Sequence, residues 1–201
     1  MKKVTALAAS LALLNSAHGA FHLYDIQEIF SNADGSIQFI ELFTVDSGQE
    51  FLSGHTLRLE QIAPTSTLST FNFGNGPAPT NNRTLLIGTS SLIALGVTPD
   101  FIVPAGFLST SGTNKRVNFA ESTDVVNIAT LPFNGVQSLN GLINDPNPTA
   151  SSVNAQATPR NHAGQTITIP EPGATGLMLA SAFLALAARQ RNLRGTTNGS
   201  L

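Results

Sequence analysis

Cysteine and tryptophan are both missing from the 201 residues, and only 11% of them carry a charge. Without cysteine there is no disulfide framework to support a fold and no thiol to build a reaction on. Beyond the first twenty residues the only histidines are His22, His55 and His162. They lack the i, i+4 spacing of a zinc site, so no zinc centre is expected from them. Serine is plentiful, but no Gly-x-Ser-x-Gly elbow is present, and Gly74-Asn75-Gly76 is too short to cradle a phosphate. No catalytic set emerges, and no internal repeat of useful length is present. Basic residues are scarce in the middle of the chain. Between Ala20 and Ile169, eleven acidic residues face five basic ones (Arg58, Arg83, Lys115, Arg116 and Arg160), a net charge of −6 where the whole chain has −2. That acidity argues against a surface for phosphate backbones, so no nucleic-acid partner is expected.

Long apolar runs occur only near the two ends. Lys2 and Lys3 precede an apolar stretch from Val4 to Leu14, and Ala17-His18-Gly19 places small residues where a signal peptidase reads them. The pattern predicts a signal peptide over residues 1–19, cut between Gly19 and Ala20, and export of the remainder.

At the other end, Pro170-Glu171-Pro172 is followed by an uncharged run from Gly173 to Ala188 and then by Arg189, Arg191 and Arg194. As a helix, residues 173–188 would span about 24 Å, slightly short of a hydrocarbon core of ~30 Å. A thinned bilayer accepts such a helix, with the arginines snorkelling to the cytoplasmic headgroups. The proline-rich tripeptide, single apolar span and arginine-containing tail together resemble the PEP-CTERM sorting signals of Gram-negative bacteria. The resemblance implies recognition by an exosortase in the inner membrane, cleavage near Pro170–Pro172, and release or transfer to the cell surface. Here the arginines are interrupted by Gln190, Asn192 and Leu193, and the chain continues to Leu201. The sorting segment is expected to occupy residues 166–201.

Residues 20–165, about 150 in number, suffice for one domain with its own core. Turn signals are frequent there and helical periodicity is nearly absent. Leu23–Phe30 and Ile37–Val45 read as strands joined by a turn ending in Asp34-Gly35. The second has Ile37, Phe39 and Phe43 on one face and Ile40 and Leu42 on the other, which predicts a central strand. Further strands are expected at Thr56–Ile62, Thr84–Thr89, Phe101–Val103, Arg116–Phe119 and Asp124–Ala129. One helical turn is expected over Ser90–Leu95, capped by Ser90 or Ser91 and ended by Gly96. Phe71–Asn82 reads as a surface loop and Asn140–His162 as a flexible one, with Thr158–Asn161 returning to the domain and Gln165–Ile169 serving as spacer. Short strands at this spacing predict an all-β sandwich.

Ile26-Gln27-Glu28-Ile29, Phe39-Ile40-Glu41-Leu42 and Leu52-Ser53-Gly54-His55-Thr56-Leu57 resemble the opening of a lamin-tail-like domain, and Ala157-Thr158-Pro159 its close. The resemblance implies an immunoglobulin-like β-sandwich. The chain departs from the family at His55, where Trp is usual, at Thr44, where Asn is common, and at Gln27, where Asn often stands.

Glu28 and Glu41 are candidates for neighbours across two strands, a geometry suited to metal or acid–base chemistry. The alternative is that each carboxylate holds a turn or a backbone amide. Asn32, Asp34 and Glu41, or Asn144, Asp145 and Asn147, supply oxygens suited to weak calcium binding. The expectation is an exported, non-enzymatic surface or matrix module, with signal peptidase and exosortase as processing partners and secreted polysaccharide or surface proteins as later ones. A secreted metal-dependent hydrolase using Glu28, Glu41 and a histidine is the alternative.

Overall fold

Asn32 makes the first turn. Its N–H donates to the Ile37 carbonyl and its Oδ1 accepts the Ile37 N–H, both at 3.0 Å. Asp34 Oδ1 takes the Ser36 N–H at 2.9 Å, and Gly35 supplies a φ of 71° that other residues resist. The turn joins β1 (Asp25–Ser31) to β2 (Gln38–Thr44). The computed structural model describes residues 21–109, 113–141, 152–154 and 156–171. The further elements are β3 (Thr56–Gln61), β4 (Ser66–Asn72), β5 (Arg83–Gly88), α1 (Ser91–Leu95), β6 (Phe101–Ile102), β7 (Lys115–Phe119), β8 (Asp124–Ile128), β9 (Ser138–Asn140) and β10 (Ser152–Asn154).

The strands form two sheets, ordered β10-β9-β1-β2-β5-β6 and β4-β3-β7-β8. All pairings are antiparallel except β5 with β6. Between the sheets, Ile29, Ile40, Leu85 and Ile87 pack with Leu57, Leu59, Val117 and Phe119 in one buried cluster. The fold is therefore an all-β sandwich, as the spacing of the strands predicts.

The six-stranded sheet is buried on its second face as well, which accounts for the apolar residues on both faces of β2. Phe30, Phe39 and Leu86 are covered by Leu92 and Val97 from α1 and its exit, and by Ala157 and Ile169 from the C-terminal segment. Phe30 and Phe39 stack with centroids 5.4 Å apart. Gly88 permits the close approach of α1, because a Cβ there would lie 2.5 Å from Leu92 Cδ1.

Four local readings are corrected. β4 precedes and enters the stretch read as a loop from Phe71. Its Ser and Thr residues are mostly exposed at a sheet edge and pair with β3 through the backbone, so no apolar alternation marks it. β10 lies inside the stretch read as flexible and pairs with β9 in the same manner. Ser90 stands at the N-cap of α1 without a side-chain capping bond, while Gly96 closes the turn at a φ of 106°. Gln165–Ile169 is more than a spacer. Ile167 and Ile169 join the outer core, so packing runs past residue 165 as far as Ile169.

Candidate functional site

Glu28 and Glu41 are direct register partners across β1 and β2. A register shift between Ile26 and Glu28 keeps Ile26 inward while turning Glu28 outward. Both residues are buried, with 5% and 4% of their surface exposed. Like charges facing each other with so little water are unfavourable unless something else occupies them.

What occupies them is the C-terminal segment 157–169, a strap laid across the outer face of the sheet. The Thr158 N–H donates to Glu28 Oε1 at 3.1 Å, the Arg160 N–H to Glu41 Oε2, and the His162 N–H to Asp100 Oδ2 at 2.9 Å. Alternate residues of an extended chain point their N–H groups the same way, so 158, 160 and 162 present three donors to three acceptors. Asp100 Oδ2 also takes the Leu86 N–H at 2.8 Å, and Ser138 Oγ donates to Glu28 Oε1. The strap turns at Asn161–Gly164, where Gly164 has a φ of 83°, and comes back so that Arg160 bridges Thr166. The Asn161 N–H donates to the Gln165 carbonyl at 3.0 Å, and the Ile169 N–H to the Ala157 carbonyl at 3.0 Å. Asn161 Nδ2 also reaches the Thr98 carbonyl at 2.9 Å, tying the turn to the α1–β6 connection.

Between strap and sheet a cleft of about 380 Å³ opens over Glu28 and Glu41, with Phe43, Arg83, Asn140 and His162 among its lining residues. Burial pushes the Glu41 carboxyl up to about 8, opposed by the Arg160 N–H and reinforced by Glu28. At neutral pH Glu41 therefore holds a proton in most molecules. Asp100 is also raised by burial, against the pull of the two N–H groups it accepts.

The histidines are dispersed. His55 Nδ1 lies 2.7 Å from Glu121 Oε2 on the four-stranded side, with Phe21 stacked on its ring at 3.4 Å. His162 lines the cleft, but its Nε2 donates to the Pro79 carbonyl at 2.7 Å, which fixes that nitrogen as the protonated one. Among the described residues no three of His, Asp and Glu are grouped to hold a metal. No family model, no curated protein and no solved structure matches this sequence.

The calcium candidates are not drawn together. Asn32 and Asp34 serve the first turn, and Glu41 serves the strap, while Asn144, Asp145 and Asn147 lie outside the described residues. Of the processing residues, Pro170 is half-buried and Glu171 exposed at the end of the strap. Gly19, Ala20, Pro172, Arg189, Arg191 and Arg194 lie outside the described residues, as does the apolar run 173–188. Among the described residues no helix is long and apolar enough to cross a membrane. Asp100, Ser138 and Arg160 are site residues that sequence reasoning did not single out. A possible signal was the alternation of Thr158, Arg160 and His162 around Pro159, whose own missing N–H falls between the donating positions.

Proposed function

We propose that this chain is an exported surface or extracellular-matrix protein whose sandwich is a non-enzymatic structural or interaction module, delivered by exosortase processing of its C-terminal segment. The finer reading of the fold as immunoglobulin-like and lamin-tail-like belongs to the same proposal. It is supported by the placement of Ile26–Ile29 and Phe39–Leu42 on adjacent strands with their glutamates in register, and by the packing of Ala157 at the close of the domain.

One observation carries the non-enzymatic part. The three carboxylates best placed for chemistry, Glu28, Glu41 and Asp100, each accept a main-chain N–H of the strap. A carboxylate engaged in closing the fold is a structural acceptor before it is a base or a ligand. The delivery part is supported by the order of Pro170-Glu171-Pro172, the apolar run and the arginines.

Mass spectrometry of material from culture supernatant, reading both termini, tests delivery. The expected product starts at Ala20 and ends near Pro170–Pro172, and intact chain confined to the cytosol would refute it. Metal analysis of the purified protein tests the other part. The direct pairing of Glu28 with Glu41, in a cleft that His162 also lines, is the observation that favours a metal-dependent hydrolase instead, and stoichiometric, tightly held zinc or manganese would establish that reading.

A further inference from the structure

The cleft over Glu28 and Glu41 collects features that closing the fold does not use. Of the five basic residues between Ala20 and Ile169, Lys115 is buried with Nζ on the Ser109 carbonyl at 2.6 Å, and Arg116 pairs with Glu60 at 2.7 Å. Arg58 lies on β3 in the other sheet. The remaining two, Arg83 and Arg160, are exposed and both line this cleft. Among the described residues neither guanidinium takes part in an ion pair or side-chain hydrogen bond. A segment carrying eleven acidic residues thus puts two exposed arginines in the wall of one cavity, a rim suited to capture of a carboxylate.

The interior of the cleft asks for hydroxyl groups. Glu41 is 4% exposed, and only its Oε2 accepts a hydrogen bond among the described residues. Gln27 Oε1, in the cleft wall, is buried with no partner at all. An orphaned buried acceptor is costly, so a small rotation of the Gln27 side chain that turned it to a donor from outside the chain would be favoured. Because Glu41 holds a proton near neutrality, it also offers an O–H to a ligand oxygen and adds no repulsion against an anion. The half-buried Phe43 ring gives one apolar surface in an otherwise polar lining. At about 380 Å³ the cavity is at the small end of ligand pockets, which run from ~300 to 1,000 Å³, and its lining is far more polar than theirs.

We infer that this cleft is a binding site for an acidic oligosaccharide, with Arg83 and Arg160 taking a uronate carboxylate, Glu41 and Gln27 taking hydroxyls, and Phe43 facing the C–H side of a sugar ring. A peptide fits less well. An extended peptide binds by adding main-chain hydrogen bonds at a free strand edge, and here the cleft lies over the face of β1, β2 and β5, which are interior strands of their sheet. The strap's inward N–H groups at 158, 160 and 162 are taken by Glu28, Glu41 and Asp100. This inference rests on the interaction-module reading above and names its ligand.

The test is calorimetric titration of the full chain, purified with detergent present, using tetragalacturonate, cellotetraose and tetraglutamate as probes. Tetragalacturonate is expected to bind, with an affinity that falls as salt rises, and cellotetraose to bind at least about tenfold more weakly. The double variant Arg83→Ala/Arg160→Ala keeps the Arg160 main-chain N–H that Glu41 needs. It should lose roughly tenfold or more in uronate affinity at an unchanged melting temperature. If that variant fails to fold, chemical-shift mapping on the isotope-labelled, unaltered protein decides, with shifts expected at Phe43 and His162. No uronate binding at millimolar concentration, equal binding by the double variant, shifts away from the cleft, or equal binding of tetraglutamate would each overturn the inference. Secretion of a correctly trimmed protein that binds no uronate would refute this site alone, and uronate binding by a chain that is never exported would refute the delivery reading alone.

Discussion

Replacing Glu41 by Gln separates its two properties, the acceptor that holds Arg160 and the buried titratable carboxyl. The amide oxygen of Gln still accepts the Arg160 N–H, so the strap remains attached, but the group no longer titrates. In the native chain the Glu41 carboxyl is displaced upward from 4.5 to about 8, chiefly by burial. Between those values the folded chain holds a proton that the unfolded chain has released. The folded state then binds more protons, so the contribution of Glu41 is full below about pH 4.5 and is lost as pH climbs through about 8. At roughly 1.36 kcal/mol for each pH unit of separation, the total is on the order of 5 kcal/mol. Asp100 and Asp124 are raised by burial too and slope the same way, so the difference between variant and native chain is the quantity to follow. Urea unfolding monitored by far-ultraviolet circular dichroism, repeated from pH 5 to pH 8.5, supplies it. The native chain should lose several kcal/mol more than Glu41→Gln over that range. Parallel curves would show that Glu41 is charged in the fold and that its burial costs far less than argued.

Phe39→Ala should destabilise by ~3–5 kcal/mol, because the ring is 1% exposed and stacked on Phe30; an unchanged melting temperature would remove it from the core. Gly141→Ala should cost ~1–3 kcal/mol or more, since a Cβ there would lie 1.7 Å from the Ile26 carbonyl oxygen, and equal urea midpoints would show that this backbone approach does not exist. Arg160→Pro removes the N–H that Glu41 accepts and should cost ~1–3 kcal/mol, whereas Arg160→Ala should be nearly neutral in the same melt. Glu171→Ala, or removal of Arg189–Leu201, should leave unprocessed chain in the inner membrane; fractionation finding normal amounts of mature protein outside the cell would count against the sorting reading.

The sandwich was legible where side-chain chemistry follows the backbone period. Phe39, Ile40 and Leu42 mark a strand apolar on both faces, and the structure buries it between two clusters. It was illegible where a strand sits at an edge and needs only backbone partners. Ser66–Asn72 has a ladder to β3 but few buried side chains, and Ser152–Asn154 has the same character beside β9. The glutamate pair was readable from the likeness of the segments around Glu28 and Glu41, and its alternative role as a holder of backbone amides is the one the hydrogen bonds display. The cleft was not readable, because it is made when residues about 120 positions apart meet. Arg160 and Glu41 share no local pattern, and their separation of 119 residues leaves no trace in spacing.

The hairpin shape of the C-terminal segment sets how it responds to force. Ile169 is bonded to Ala157 at the open end, and Arg160 meets Thr166 near the closed end. Tension applied at Pro170 therefore loads these contacts in succession, with Ile169–Ala157 first, and the hairpin unzips one bond at a time without a simultaneous shear. The outer cluster of Phe30, Phe39 and Leu86 loses the cover of Ile169 at the first step, while the core between the sheets stays closed.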